Sequence, residues 1–212
     1  MKDIIIYGSG GLAKETVELI EDINITKRIW NIIGYIDDTK SESNESVNGY
    51  NILGSQEILK NVSNSTYIVI AVSDPSAKEH IYKTIQKYNL KYATLVHPTA
   101  KIAKNATIGE GSIISIDCLV SVNVSIGNHV FLNMRTVVGH DSKIDDFSSC
   151  LVNCVIAGNV TIKKGALLGS GCMIMEKKEI GEKAKISMGS VVNFDVEEST
   201  VVMSRPSKCM RF

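Results

Sequence analysis

The chain has 212 residues, 23 basic and 23 acidic side chains, and 44% hydrophobic residues. Cancelling charges give no global field to draw nucleic acid or an anionic surface, and no apolar run reaches the roughly 18 residues of a spanning helix. Five cysteines, an odd number without a CxxC pair, read neither as a disulfide framework nor as a zinc site, so no metal is expected. The start, MKDIIIYGSGG, has no signal-peptide apolar region, which makes the cytoplasm the expected compartment.

In chain order, the β-branched run Lys2–Tyr7 predicts a strand, Gly8-Ser9-Gly10-Gly11 a turn, and residues 12–23 a helix with apolar spacing at Leu12, Val17, Leu19 and Ile20. Residues 32–36 predict a second strand ending in Asp37-Asp38. Residues 39–51, rich in Ser, Asn and Glu, predict a mobile surface loop. A third strand over 67–72 ends in Ser73-Asp74-Pro75, followed by a helix over 77–88 and a last strand over 91–96. The alternation predicts a small Rossmann-like parallel α/β domain over residues 1–96. Gly8-Ser9-Gly10-Gly11-Leu12-Ala13 matches G-x-G-x-x-G/A between strand and helix, a geometry that turns backbone N–H groups toward a phosphate. Asp37 and Asp38, at the end of the second strand, stand where a carboxylate accepts ribose hydroxyls. The segment is short of the strands of a full dinucleotide domain, which disfavours NAD among nucleotides.

Beyond residue 97 the chain changes character. From Ile102 to Val192 every sixth residue is aliphatic except Cys150, sixteen positions without a gap. Four residues later the side chain is usually small, as at Ala106, Ser112, Cys118, Cys154 and Cys172. A period of six is the signature of a parallel β-helix, with one hexad per flat side and three hexads per coil. Roughly five coils at about 4.8 Å spacing predict a rod about 24 Å long, with Cys118, Cys150, Cys154 and Cys172 as core thiols. His80 is expected on a helix face and His129 on a prism corner, neither with a task. Arg205, Lys208 and Arg211 fall within seven residues with no acid among them, a cationic tail that suits phosphate groups and equally suits a solvated terminus.

The hexad residues closely resemble the hexapeptide acyltransferases, which implies a left-handed β-helix over residues 97–212, a homotrimer, and acetyl-CoA held between neighbouring prisms. YGSGGLAKE, GYIDD, AVSDPSAKE, VHPTAKI, FLNMRTVVGHD and SRPSK extend the likeness over essentially the whole chain. Together they resemble bacterial sugar acetyltransferases of the sialic acid O-acetyltransferase and bacillosamine-type N-acetyltransferase group. The resemblance implies that the α/β domain binds a nucleotide-linked sugar, through Gly8, Ser9, Gly10, Gly11, Asp37, Asp38, Ser73 and Asp74. His140 falls on the family's catalytic histidine, Asp141 on the adjacent acid, Asn133 on an active-site asparagine, and Gly158 on a glycine whose N–H contacts the thioester carbonyl. A neutral imidazole is suited to take the proton of an attacking amine or hydroxyl, and a carboxylate fixes its tautomer.

Three positions depart from the family pattern: Leu12 and Ser149 stand where some members have histidine, and Ser204-Arg205-Pro206-Ser207-Lys208 replaces Gly-x-Pro-Ala-Lys. The expected activity is acetyl-CoA-dependent N-acetylation of a nucleotide-linked amino sugar for surface glycan assembly. Alternatives are O-acetylation of a sialic acid, a catalytically silent trimeric scaffold that binds a nucleotide sugar, and an NAD-dependent enzyme.

Overall fold

The computed structural model describes residues 1–40 and 45–205. Four strands, β1 (Lys2–Tyr7), β2 (Trp30–Ile36), β5 (Tyr67–Ile70) and β6 (Lys91–Tyr92), form one parallel sheet in the order β2-β1-β5-β6. Between β2 and β5 lie a two-stranded hairpin, β3 (Ser46–Val47) with β4 (Tyr50–Asn51), and a short 3-10 helix, Gln56–Asn61. The hairpin occupies the end of the stretch expected to be a mobile surface loop; Ile52 then bridges to Tyr35 and anchors it to the sheet edge.

The strand period of two divides the sheet's two faces. Ile4 and Ile6 pack with Ala13, Val17, Ile20 and Ile23 of helix α1 (Gly11–Thr26), whose apolar residues recur at helical spacing. Ile5 and Tyr7 point the other way, toward Leu59, Ile85 and Leu90. Helix α2 (Pro75–Ile85) opens with Asp74 as N-cap, its side chain accepting the Ala77 N–H at 2.8 Å, and Pro75 in the first turn. A 3-10 turn, Gln86–Tyr88, follows it.

The expected last strand over 91–96 is two strands. Lys91–Tyr92 completes the α/β sheet, whereas β7 (Leu95–Val96) pairs with Ile113–Ile114 and is the first rung of the next unit. From there the backbone winds through two-residue rungs, each pairing in parallel with the rung eighteen residues on. The rungs form three faces of seven, six and five strands, about six coils. The expectation of five missed Leu95–Val96 and the closing rung Val201–Val202, which pairs with Lys185–Ile186 after a coil two residues short. Inward positions such as Ile114, Val138, Ile144, Cys150, Ile162 and Leu168 are fully buried in one core. Cys118, Cys150, Cys154 and Cys172 are free and buried, as expected of core thiols.

Every sixth residue from Gly111 to Gly189 has positive φ, so each corner is turned through the left-handed region. Gly, Asn and Asp enter that region most readily, and they hold nine of these corners: Gly111, Asp117, Asn123, Asp141, Asn153, Asn159, Gly165, Gly171 and Gly189. His129 and Phe147 turn two others at φ of 53° and 61°.

The three faces differ on their outer side. The face carrying Leu95, Ile113, Phe131 and Ser149 is buried beneath the α/β domain, so one core runs from Ile4 and Val17 across the seam to Phe131. The face carrying Ser125, Lys143 and Glu179 is polar and exposed. On the third, Leu119, Val155, Met173 and Val191 form an apolar stripe, each between 37% and 66% exposed. No helix among the described residues is long and apolar enough to cross a membrane.

Candidate active site

Two separate places gather chemistry. The first is a cleft of about 400 Å³ at the carboxyl ends of β1, β2 and β5, lined by the Gly8–Gly11 turn, Leu12, Asp37, Asp38, Ser73, and Ala77 and Ile81 of α2, among others. Gly8 has φ of 101°, and an added Cβ would press on the Ala71 carbonyl at 3.1 Å, so glycine is required for the turn to cross β5. Helix α1 begins at Gly11 without a side-chain cap, which leaves its first N–H groups to the cleft.

The two carboxylates in this cleft are differently engaged. Asp37 Oδ2 accepts from the Ser9 N–H at 3.0 Å and the Ser9 hydroxyl at 2.6 Å. Its Oδ1 accepts from the Thr39 N–H at 3.0 Å and the Thr39 hydroxyl at 2.6 Å. Burial pushes this carboxyl up, but the donors of Ser9 and Thr39 outweigh it and hold the group below the usual carboxylate range. Asp38 accepts one bond on each oxygen, from the Tyr7 hydroxyl and from the Gln56 N–H at 2.8 Å. Burial and the neighbouring Asp38 keep the Tyr7 phenol protonated far above its ordinary range. Of the residues expected at a substrate cleft, Gly8, Ser9, Gly10, Gly11, Asp37, Asp38 and Ser73 line this one; Asp74 instead caps α2.

The second place is the corner that follows Val137–Val138. His140 is half-exposed, and its Nδ1 lies 2.7 Å from Asp141 Oδ2. Asp141 turns the corner at φ of 58°, and its other oxygen accepts from Asn123 Nδ2 at 2.8 Å. Asn123 in turn accepts from Asn105, so a ladder of corner side chains one coil apart supports the carboxylate. The Asn123 bond and then His140 hold the Asp141 carboxyl below its ordinary range. A carboxylate at Nδ1 keeps a proton there and leaves the Nε2 lone pair as the ring's basic site. One coil on, Gly158 lies against the ring: a Cβ there would stand 2.6 Å from Nε2. At Gly158 it is therefore main chain, with no side chain, that the ring meets.

Asn133 is not beside His140 within the chain. It lies at the other edge of the same face, where its Oδ1 accepts the Met134 N–H at 2.7 Å. Arg205 is exposed at the end of the described residues, and Lys208 lies outside them. Among the described residues no cluster of His, Cys, Asp and Glu suits a metal ion.

Sequence reasoning passed over two residues. His129, expected to be an idle corner, is 3% exposed and stacks on Phe147 at 5.2 Å within a box completed by Tyr82 and Tyr92. Lys78, on a helix most of whose residues reach solvent, is itself buried. A single cation in a polar helix gives no signal of burial, and a histidine at a turn position reads as solvated.

Comparison with known proteins finds relatives for both parts of the chain. Residues 3–85 match the family model of the PglD N-terminal domain. A perosamine N-acetyltransferase variant from Caulobacter crescentus, in complex with CoA and GDP-perosamine, superposes with a TM-score of 0.89 at 20% identity, covering 98% of this chain and 96% of that one. The acetyltransferase domain of PglB from Neisseria gonorrhoeae, in complex with acetyl coenzyme A, gives 0.87 at 22% identity over 99% of both chains. WeeI from Acinetobacter baumannii gives 0.86 at 25% identity over 98% and 99%. The bifunctional protein GlmU of Aquifex aeolicus is 29% identical over 59% of this chain, which spans only 28% of that protein. The chain spans between about a quarter and two-fifths of the length of the curated relatives it matches.

The fold these matches share is a small α/β unit followed by a parallel β-solenoid, the architecture of the acetyltransferase structures above. Residues 3–85 are similar to the PglD N-terminal domain, and part of the chain is similar to acyltransferases among the curated matches.

Proposed function

We propose that the protein transfers the acetyl group of acetyl-CoA to the amino group of a nucleotide-linked amino sugar, with His140 as general base. The carrying observation is the exposed His140 ring, oriented at Nδ1 by Asp141 and free at Nε2 over the Gly158 main chain. The neutral sugar amine attacks the thioester carbonyl carbon and passes its proton to Nε2. The tetrahedral intermediate then collapses, breaking the carbon–sulfur bond, and the leaving thiolate takes the proton back from the imidazolium as the thiol of CoA. Asp141 stabilises the imidazolium between these steps, and the Gly158 N–H faces the developing oxyanion. The CoA and GDP-perosamine complex and the acetyl coenzyme A complex of the structural neighbours support this pairing of substrates.

In this reading the α/β cleft selects the acceptor by its nucleotide, with α1 N–H groups on the phosphates and Asp38 on a hydroxyl or base group. The assembly is a homotrimer. The apolar stripe through Leu119, Val155, Met173 and Val191 is a flat face of the kind buried between subunits, and a three-fold ring brings the His140 edge of one copy toward the Asn133 edge of the next. Arg205 and Lys208 then take the phosphates of CoA. The activity is cytoplasmic and supplies acetylated sugars for surface glycans.

The test is to offer acetyl-CoA with a panel of nucleotide-linked amino sugars and free and nucleotide-linked sialic acids, following free thiol and the mass of each acceptor. A gain of 42 Da, the mass of an acetyl group replacing a proton (about 42 by stoichiometry), on an amino sugar alone supports N-acetylation. Gain on a sialic acid alone makes the enzyme an O-acetyltransferase, and nucleotide binding without thiol release makes the protein a silent scaffold. Light scattering that reports a monomer at micromolar concentration removes the intersubunit site.

A further inference from the structure

Lys78 is 2% exposed, although the helix that carries it is otherwise largely solvated. Its chain runs through the seam between the two units, and Nζ donates to Ser149 Oγ at 3.0 Å and to the Ser148 carbonyl at 3.4 Å. Burying an amine without an ionic partner is unfavourable, and here burial pulls its pKa down to about 7. The Lys–Ser pair has the makings of a base and a nucleophile, yet Ser149 is wholly buried as well, so no substrate reaches either. Its work is mechanical.

The surroundings show what it holds. Ala77 and Ile81, on either side of Lys78 in α2, line the nucleotide cleft. Glu79 pairs with Lys164 of the solenoid at 2.8 Å, and Tyr82 packs on His129 and Phe147. Helix α2 thus presents one side to the cleft and fixes the other to three successive coils. Ser149 lies in the rung that pairs with Phe131–Leu132, nine residues after His140 along the same winding.

We propose that Lys78 is a positioning residue: pinned on Ser149, it sets the wall of the nucleotide cleft at a fixed place relative to the solenoid, and so the place at which the acceptor meets the acetyl-transfer histidine. This rests on the acetyl-transfer reading. An enzyme gains much of its rate from holding two reactants in register, and a displacement of about 1 Å can cost a hundredfold. Nucleotide affinity, by contrast, is set within the cleft and does not need the pin.

Lys78→Met keeps the length of the side chain and removes the amine. Expected are an unchanged assembly, affinity for UDP or GDP within about threefold of the parent by calorimetry, and a kcat at least about tenfold lower. Hydrogen exchange should quicken in α2 and in the rungs Phe131–Leu132 and Ser149–Cys150. Ser149→Ala should give a smaller shift of the same kind, and the double variant should be no worse than Lys78→Met, because both remove one contact. If Lys78→Met does not fold, Ser149→Ala carries the same readings. Parental kcat and parental exchange in either folded variant overturn the proposal, as does nucleotide affinity falling in step with kcat, which would put Lys78 in the cleft. If the parent acetylates no acceptor but exchange at the seam still responds, the acetyl-transfer reading fails while the pin stands.

Discussion

The α/β cleft and the solenoid corner both present a short run of acidic or basic side chains beside a glycine, yet they use them in opposite ways. In the cleft, Asp37 spends both oxygens on four donors of Ser9 and Thr39, and the side chain with the shape of a ligand group is a strut for the glycine turn. At the corner, one contact from Asp141 orients His140 and the rest of the ring is left open. A turn that must hold an irregular backbone consumes polar groups; a solenoid corner is also tied coil to coil by main-chain bonds, so a side chain such as His140 can be left available.

The sharpest way to break the comparison is His140→Ala. The residue contributes nothing to the inward core, so the fold and assembly should survive. Turnover should fall by roughly 10^2 to 10^4, the usual worth of a positioned general base, with little change in acetyl-CoA affinity. A folded variant that acetylates its best acceptor at the parental rate returns His140 to the status of a surface corner.

His129 tests the other extreme, a corner side chain that the fold has consumed. Burial, and then the Lys78 charge, pull its pKa down from 6.5 to about 4, against a smaller opposing pull from Asp146. The unfolded chain binds a proton near pH 6.5 and the folded one only near pH 4, so stability should be flat above about 6.5 and fall as pH drops toward 4. The loss reaches on the order of 3 kcal/mol at most. His129→Phe, which keeps the stack on Phe147, should flatten that part of a denaturation profile; an unaltered slope would assign the acid sensitivity elsewhere.

Gly158→Ala is a subtler strike at the corner. Its Cβ would come within 2.6 Å of Nε2, so the imidazole or the main chain must move, while the rung Val155–Ile156 stays paired. Turnover should drop by roughly 10- to 100-fold with the melting temperature nearly unchanged. Activity equal to the parent would mean that the ring is not held where the reaction needs it.

The hexad period made the solenoid legible, because an inward aliphatic every six residues has no other use. What the period does not carry is the environment outside each face. Leu95, Ile113 and Phe131 read like Leu119, Val155 and Met173, yet the α/β domain covers the first set and the second is open. The left-handed corners were also present in the sequence as Gly, Asn and Asp at most of every sixth residue, but His129, Arg135, Phe147, Lys177 and Lys183 interrupt them. Residues 91–96 read as one strand because β-propensity does not show where the chain leaves one sheet for another. His140 and Asp141 were found through a family resemblance; the burial of Lys78 depends on residues seventy positions away and left no local mark.

A last pair of substitutions separates the two cleft carboxylates. Asp37→Asn keeps the shape but turns half of an all-acceptor group into a donor, facing either the two Ser9 donors or the two Thr39 donors. The glycine turn should loosen, and affinity for the nucleotide should fall together with protection of the Gly8–Gly11 amides. Asp38 retains an unused lone pair on each oxygen, so a bound hydroxyl or base amine has a place there. Asp38→Asn should weaken the nucleotide by roughly 1.5 to 3 kcal/mol, as for one hydrogen bond to a charged group, without disturbing the turn. Calorimetry paired with hydrogen exchange therefore distinguishes strut from ligand group. If Asp38→Asn loosens the turn and Asp37→Asn does not, the roles are reversed; if neither changes nucleotide affinity, the cleft does not read its ligand through acids at all.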